Sequence, residues 1–423
     1  MDKRTFIKSL PFLGSFASGM LHPKNHKSII PPDIPAEELA KDESFWLNIR
    51  SGYRIKPDYI NLENGYYCFA PESTLENLVH HIRHVNYEGS YYMRTVKNDN
   101  KRNVAHMLSK VAGCDENELI ITRNTTESLD TIISGFPWQQ GDEAIMAEQD
   151  YGSMLNQFEL LARRKGIVNK RVSVPNHPSS DEEIVSLYEK SITSRTKLIM
   201  VCHMINITGQ ILPIKKICDM AHSYGIDVLV DGAHAFGHFQ FTLKDLDCDY
   251  YGTSLHKWLS APLGAGFLFV KKENIKKIQP LFAPWDMDNH NISTLNHTGT
   301  HPVYTDLTIL NALEFQNNIG LDNKEARLRY LQNYWKERLR GISNIVINTP
   351  SDPQRSCGIG NVGLKNMRAQ ELAHRLYTEF RIWTVGIDNE KADVNGCRIT
   401  PNLYTTINDM DEFVKAMHYL AKA

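Results

Sequence analysis

TSLHKWLSAPLGAGFLFV, residues 253–270, holds one lysine between a polar strand end and a run with the composition of a buried strand. Lysine is among the residues least often buried without a partner. With His256 beside it and Gly264 and Gly266 behind, Lys257 is either a surface lysine at a turn or an amine placed for chemistry.

The surrounding pattern favours chemistry. Before this stretch lie KLIMVCH (Lys197–His203), a helix over Ile214–Tyr224 closed by Gly225, and the apolar strand IDVLV ending at Asp231. Earlier still, the helix Asn103–Ala112 precedes the strand ELIIT (Glu118–Thr122). Asn124-Thr125-Thr126-Glu127 then has the form of a capped helix start, and Ala144–Ala147 is another strand. Asp249–Ser254 and Gly264–Val270 complete the set. Strands alternating with helices predict βαβ units and a mostly parallel sheet covered on both faces, an α/β fold. Ligands bind such sheets beyond the carboxyl ends of the strands. The polar residues at those ends are Thr125, Thr126, Tyr151, Asn206, Asp231, His234, Ser254, His256 and Lys257. From about residue 300 a helix pair (303–319, 322–339), short strands near 344–348, 382–387 and Arg398, and helices near 368–380 and 409–421 predict a smaller α+β domain. The division expected is 75–290 for the large domain, with 45–74 and 300–423 forming the small one.

At 423 residues, 42% apolar and 23% charged, the chain has the composition of a globular protein with a large core. A net charge of −2 gives no footprint for nucleic acid or an anionic membrane, and no run reaches the length of a membrane span. Seven cysteines without CxxC spacing argue against a zinc ribbon or a disulfide scaffold. Residues 1–22 resemble a twin-arginine export signal in which Lys3 replaces the first arginine, so the periplasm is the expected location. Residues 23–44, rich in Pro, Lys and His, read as a linker outside the fold.

A lysine at a strand end serves as an amine that forms a Schiff base, although only about one molecule in 2,500 is neutral at pH 7 at the ordinary pKa. Burial and a nearby cation lower that pKa. The aldehyde cofactor needing such an amine is pyridoxal phosphate, whose ring nitrogen must stay protonated beside a carboxylate. Asp231, 26 residues before Lys257, suits that place. The phosphate wants hydroxyls at a helix N-terminus, as Thr125 and Thr126 offer, with Ser254 and His256 opposite. Tyr151 suits ring stacking.

TRNTTESL, EQDYGSM, HMINITGQ, VDGAH, TSLHKW and CRITPNLY, in this order and spacing, resemble the class V aminotransferase family of fold-type I pyridoxal-phosphate enzymes. That family includes cysteine desulfurases, selenocysteine lyases, kynureninase and isopenicillin N epimerase. NLENGYYCFAPEST resembles the opening of the epimerase-like branch. The resemblance implies a mostly parallel seven-stranded sheet in the large domain, with Lys257 holding the cofactor and shuttling the proton and Asp231 pairing with the pyridinium. It implies Asn206 and His234 near the ring hydroxyl, and Tyr151 stacked on the ring. Thr125, Thr126, Ser254 and His256 would hold the phosphate, with Thr300 of LNHTGTHP reaching over from the second subunit of a homodimer. Arg398 would clamp the substrate carboxylate. The region 382–396 lacks the nucleophilic cysteine of desulfurases, so persulfide chemistry is not expected.

An amino-acid-like substrate handled at Cα by an epimerase or transaminase is therefore the expected function, with a β-elimination lyase lacking a catalytic cysteine as the alternative. More distant are a metal-dependent hydrolase built on Asp231, His234 and His238, and a non-catalytic binding module. CGIGNVG (357–363) contains GxGxxG but follows no buried strand, and is expected to be a turn or kinked strand. GTSLH misses the GxSxG elbow by its last residue.

Overall fold

The computed structural model describes residues 30–285 and 288–422. The proposed export signal and the start of the expected linker lie outside the described residues. A two-residue strand, β1 (Ile60–Asn61), precedes the large sheet. That sheet contains β2 (Leu119–Thr122), β3 (Glu143–Ala147), β4 (Val168–Val172), β5 (Thr196–Cys202), β6 (Asp227–Asp231), β7 (Tyr250–Ser254) and β8 (Gly266–Val270). Its order is β2-β8-β7-β6-β5-β3-β4. All neighbours run parallel except β8, which is antiparallel to both β2 and β7.

Alternate residues of each central strand enter different cores. Ile145, Ile199, Val201, Val228, Val230 and Tyr251 join one cluster, while Met146, Leu198, Met200, Leu229 and Tyr250 join the other. A period of two with apolar residues in both phases is what a sheet buried on both faces requires. The edge strand β4 (VNKRV) is mostly half-exposed, which is why its composition hid it.

The smaller antiparallel sheet has β9 (Ile345–Ile347), β10 (Gly360–Leu364), β12 (Val385–Asn389) and β13 (Val394–Ile399), in the order β12-β13-β10-β9. Between them β11 (Ile382–Trp383) pairs with β1 in parallel. GxGxxG is thus the entry to an antiparallel strand. Among the described residues no helix is long and apolar enough to cross a membrane.

One expectation needs correcting. Residues 36–44, assigned by composition to a linker, are part of the fold. Ala36–Leu39 and Glu43–Ser51 are helical, and Leu39, Trp46 and Ile49 are buried with Ile319 and Leu403. The buried Arg327 donates to the Ala40 carbonyl at 2.8 Å and pairs with Glu43. A polar stretch is held by a buried cation that lies almost 300 positions away in sequence.

Candidate active site

Register assembles the site. Cys202 pairs with Asp231 and Asp231 with Gly252, so β5 and β6 end on one row and β7 runs on past it to Ser254. Ser254 and Thr122 face the same residue of β8, Gly266, which sets the exits of β7 and β2 level. The helix Thr125–Gly135 starts at that level, and its Asn124 cap accepts from Glu127 N at 2.9 Å. The Glu127 carboxylate bonds Arg123 N, not Asn124 N, so the expected capping box is half formed. Thr125 N donates to Ser254 Oγ at 2.8 Å and the two hydroxyls meet at 2.7 Å. A side chain at Gly266 would lie 2.9 Å from Asn124 backbone, so glycine is needed where β8 passes the helix entry.

Lys257 lies on the turn between β7 and β8. The turn is closed by Ser260 N to Lys257 O (2.9 Å), Ala261 N to Leu255 O (3.0 Å) and Leu255 N to Ala265 O (2.8 Å). Ser260 takes the left-handed conformation at φ 60°, a strained choice for a non-glycine residue.

The protonation of Lys257 follows from its neighbours. Trp258 Nε1–H donates to His234 Nδ1 at 3.2 Å, and His234 Nε2 lies 3.1 Å from Lys257 Nζ. An indole nitrogen only donates, so Nδ1 is the acceptor and the neutral ring carries its proton on Nε2. Burial holds the His234 imidazole well below its usual pKa, with the Lys257 charge adding to this. His234 therefore donates to Lys257 Nζ whenever that amine is neutral, and so favours the neutral form. Burial likewise lowers Lys257 to about 8, against the attraction of Asp231 and with the help of Arg398.

Asp231 is buried, accepts from Ala233 N at 3.0 Å, and forms no ion pair among the described residues. Burial raises its carboxyl pKa, and the Lys257 charge opposes that rise. A cation at this carboxylate would keep it ionised. Two further polar atoms, Asn206 Oδ1 and His256 Nδ1, are buried without hydrogen-bond partners among the described residues. Buried polar atoms in native proteins are nearly always satisfied. An orphaned amide oxygen, an orphaned imidazole nitrogen, an unpaired carboxylate and a hydroxyl pair at a helix entry fit an aromatic phosphate whose ring carries a positive nitrogen.

Tyr151 is 46% exposed at the mouth of the helix Gly152–Lys165, just beyond β3, and Thr126 is exposed at the phosphate-binding candidate's helix. Thr300 is exposed on the segment leading to the helix Val303–Ile319, and its expected role requires a second subunit. Arg398 is buried on β13 and close enough to lower the pKa of both Lys257 and His234.

The metal alternative does not hold. Both nitrogens of His238 are engaged, Nδ1–H with the His234 carbonyl (2.7 Å) and Nε2 with Gly358 N (2.7 Å). Both nitrogens of His234 are engaged as well, and the described residues contain no metal-ligating cluster of three.

Residues not foreseen complete the site. His238 stacks on Trp258, with ring centroids 3.6 Å apart at 19°. A side chain at Gly358 would meet His238 Nε2 at 2.9 Å and the indole at 3.1 Å, so the GxGxxG segment is pressed onto that stack. The buried ammonium of Lys324 donates to the Trp258 carbonyl and to Gln316 Oε1 (2.8 Å). Glu63 grips Arg398, a contact across 335 residues. The single charged residue in TSLHKW drew attention to Lys257 and left its tryptophan unread.

Comparison with known proteins identifies the family. The family model for aminotransferase class-V matches residues 70–412. Isopenicillin N epimerase of Streptomyces clavuligerus is 26% identical over 392 residues, covering 89% of this chain and 98% of the relative. The epimerase of Amycolatopsis lactamdurans is 28% identical, covering 74% and 83%. Among solved structures, a cysteine desulfurase from Thermococcus onnurineus NA1 superposes with a TM-score of 0.79 at 19% identity, covering 89% of this chain and 98% of that one. A C-DES mutant with glycine covalently linked to its PLP cofactor gives 0.77 at 19%, covering 86% and 98%. The last two show the fold. With the family match spanning most of the sequence, this chain belongs to the class-V aminotransferase family and is a pyridoxal-phosphate-dependent enzyme.

Proposed function

We propose that the protein works at Cα of an amino-acid-like substrate as an isopenicillin N epimerase-like enzyme, with Lys257 as the residue that holds the cofactor and moves the proton. One observation carries the reading: the hydrogen-bond chain Trp258–His234–Lys257 presents an amine whose pKa burial lowers to about 8, on the turn that follows the strand paired with that of a buried carboxylate, Asp231. Pyridoxal phosphate, when bound, supplies an electron sink for the bond broken at Cα. Asp231 would hold the ring nitrogen's charge. Asn206 would meet the ring hydroxyl with His234 nearby, and Tyr151 would cover the ring. Thr125, Thr126, Ser254 and His256 would bind the phosphate, joined by Thr300 of a second subunit in a homodimer. Arg398 receives the substrate carboxylate. With the cofactor bound, Lys257 would take up the Cα proton, and His234, a donor to the amine's lone pair, would favour its neutral form for that task.

A β-elimination lyase is the second reading, supported by the likeness to the cystine C-S lyase C-DES (TM-score 0.75, 20% identity). Persulfide chemistry finds no support in the cysteines. Six of the seven are buried and the seventh is half-buried, and burial raises the Cys68 and Cys114 thiols to about 12.

The test is α-proton exchange in deuterated water across a panel of amino acids, with chirality and released fragments followed together. The wild-type protein should absorb visible light, carry a borohydride-fixed label on Lys257 and exchange deuterium into at least one substrate. Lys257→Ala should lose all exchange, and retained exchange would refute the assignment. An inverted centre identifies the epimerase, a released fragment the lyase. Export to the periplasm is proposed too, and a reporter fused after residue 22 should leave the cytoplasm only with Arg4 intact.

A further inference from the structure

Arg398 has five N–H donors, and three are already spent. Nε donates to Glu63 Oε2 at 3.2 Å, one Nη2 hydrogen goes to Glu63 Oε1, and Nη1 donates to the Asn206 carbonyl at 3.3 Å. Glu63 therefore holds one whole edge of the guanidinium in the two-pronged geometry that carboxylates prefer. One hydrogen on each terminal nitrogen remains for a ligand.

Glu63 is built into this place. Tyr66 N donates to its Oε1 at 3.0 Å. The adjacent Asn64 is bolted to the strand end that follows Arg398, by Asn64 N to Thr400 Oγ1 and Asn64 Nδ2 to Thr400 O, both 2.6 Å. A side chain at Gly65 would lie 2.5 Å from Arg398 Cζ, so the loop backbone lies directly against the guanidinium. Both partners are nearly buried, with side-chain exposures of 10% and 9%.

The charge balance follows. A free guanidinium in a closed pocket is a strong anchor for a carboxylate. Paired with Glu63, Arg398 is neutral in sum, and a substrate carboxylate on its remaining edge brings an uncompensated negative charge within about 6 Å of Glu63. At an effective dielectric of about 20, repulsion over that distance weakens binding by up to about a hundredfold. We infer that Glu63 discharges Arg398, so that a free carboxylate beside the substrate amine adds little to binding and the site selects its substrate by the groups farther along it. The inference rests on the reading of Arg398 as the carboxylate subsite of a pyridoxal-phosphate enzyme.

Two small probes separate charge recognition from cofactor chemistry. Aminooxyacetate and O-methylhydroxylamine both condense with the cofactor's aldehyde carbon, displacing Lys257 and bleaching its visible absorbance, but only the first carries a carboxylate. Each rate on the holoenzyme is divided by the rate with free pyridoxal phosphate. In the wild-type protein the carboxylate should gain no more than about tenfold. In Glu63→Gln the ratio of the two probes should rise by about tenfold or more, because Gln keeps one acceptor and removes the charge. A larger wild-type ratio overturns the inference even if the variant does not fold, and so does an unchanged or lower ratio in the variant. In Arg398→Met the effect of Glu63→Gln should vanish, and its persistence there also overturns the inference. A purified protein with no absorbance for either probe to bleach defeats the underlying cofactor reading instead.

Discussion

Replacing Trp258 with phenylalanine tests the protonation argument at its source. The ring keeps its place on His238, and only the N–H to His234 Nδ1 is lost. With the indole gone Nδ1 is unpartnered in either tautomer, so the roughly 1–3 kcal/mol by which its bond favoured the Nε2–H form is lost and the proton is free to move to Nδ1. Nε2 then becomes an acceptor and Lys257 a donor, which favours the ammonium. Each 1.4 kcal/mol of that preference raises the lysine pKa by about one. Lys257, held at about 8 by burial, is about one-tenth neutral at pH 7, and the variant would be about one-hundredth neutral. The other groups acting on the amine, Asp231, Arg398, Cys68 and Cys202, are untouched. The assay is recapture of pyridoxal phosphate by the stripped protein between pH 6 and 10, expressed as variant over wild type so that the cofactor's own titration cancels. Recapture by the variant should be about tenfold slower at pH 7 and recover above pH 9. An unchanged profile, or a loss equal at every pH, would sink the tautomer assignment.

Further outcomes follow from the same geometry. Asp231→Asn should still bind the cofactor at Lys257 but slow α-proton exchange by about 10²-fold or more, since the ring nitrogen loses its counter-charge; the deuterium assay reads this directly. Lys324 is buried among neutral partners, and burial lowers it to about 8 from its usual 10.5. Its folded pKa lies below the unfolded one, so its contribution is complete above about pH 10.5 and is lost as pH falls to about 8, about 3 kcal/mol in all. Lys324→Met should flatten the rise in urea stability between pH 8 and 10, and parallel curves for variant and wild type would contradict this. Gly358→Ala should destabilise by about 1–3 kcal/mol in urea titration, because its added carbon lies 2.9 Å from His238 Nε2.

Much of this architecture is legible in one dimension, and the reasons for the gaps are physical. Strands such as IDVLV and KLIMVCH are apolar in both phases and end in polar residues, so alternation with helices is enough to place Asp231 and Lys257 on adjacent strand ends. The half-exposed edge strand β4 lacks that contrast, and AEEL between prolines and lysines has too few apolar residues to announce a helix. Both are fixed by partners distant in sequence. The same holds for the site. Lys257 is conspicuous because its surroundings are uncharged, whereas Glu63 is one acidic residue among many until β13 brings Arg398 to it. Trp258 passes for core packing until its N–H finds an imidazole.

The Gly358 amide has a consequence beyond packing. It closes the last free nitrogen of His238, whose ring is the platform on which the indole rests, and it belongs to the strand entry of the smaller sheet. A shift of that sheet large enough to break the 2.7 Å bond would unseat the platform, then the indole, then the imidazole tautomer that faces the Lys257 amine. Reactivity at the centre of one sheet is thereby made conditional on the seating of the other, through three aromatic rings and no moving loop.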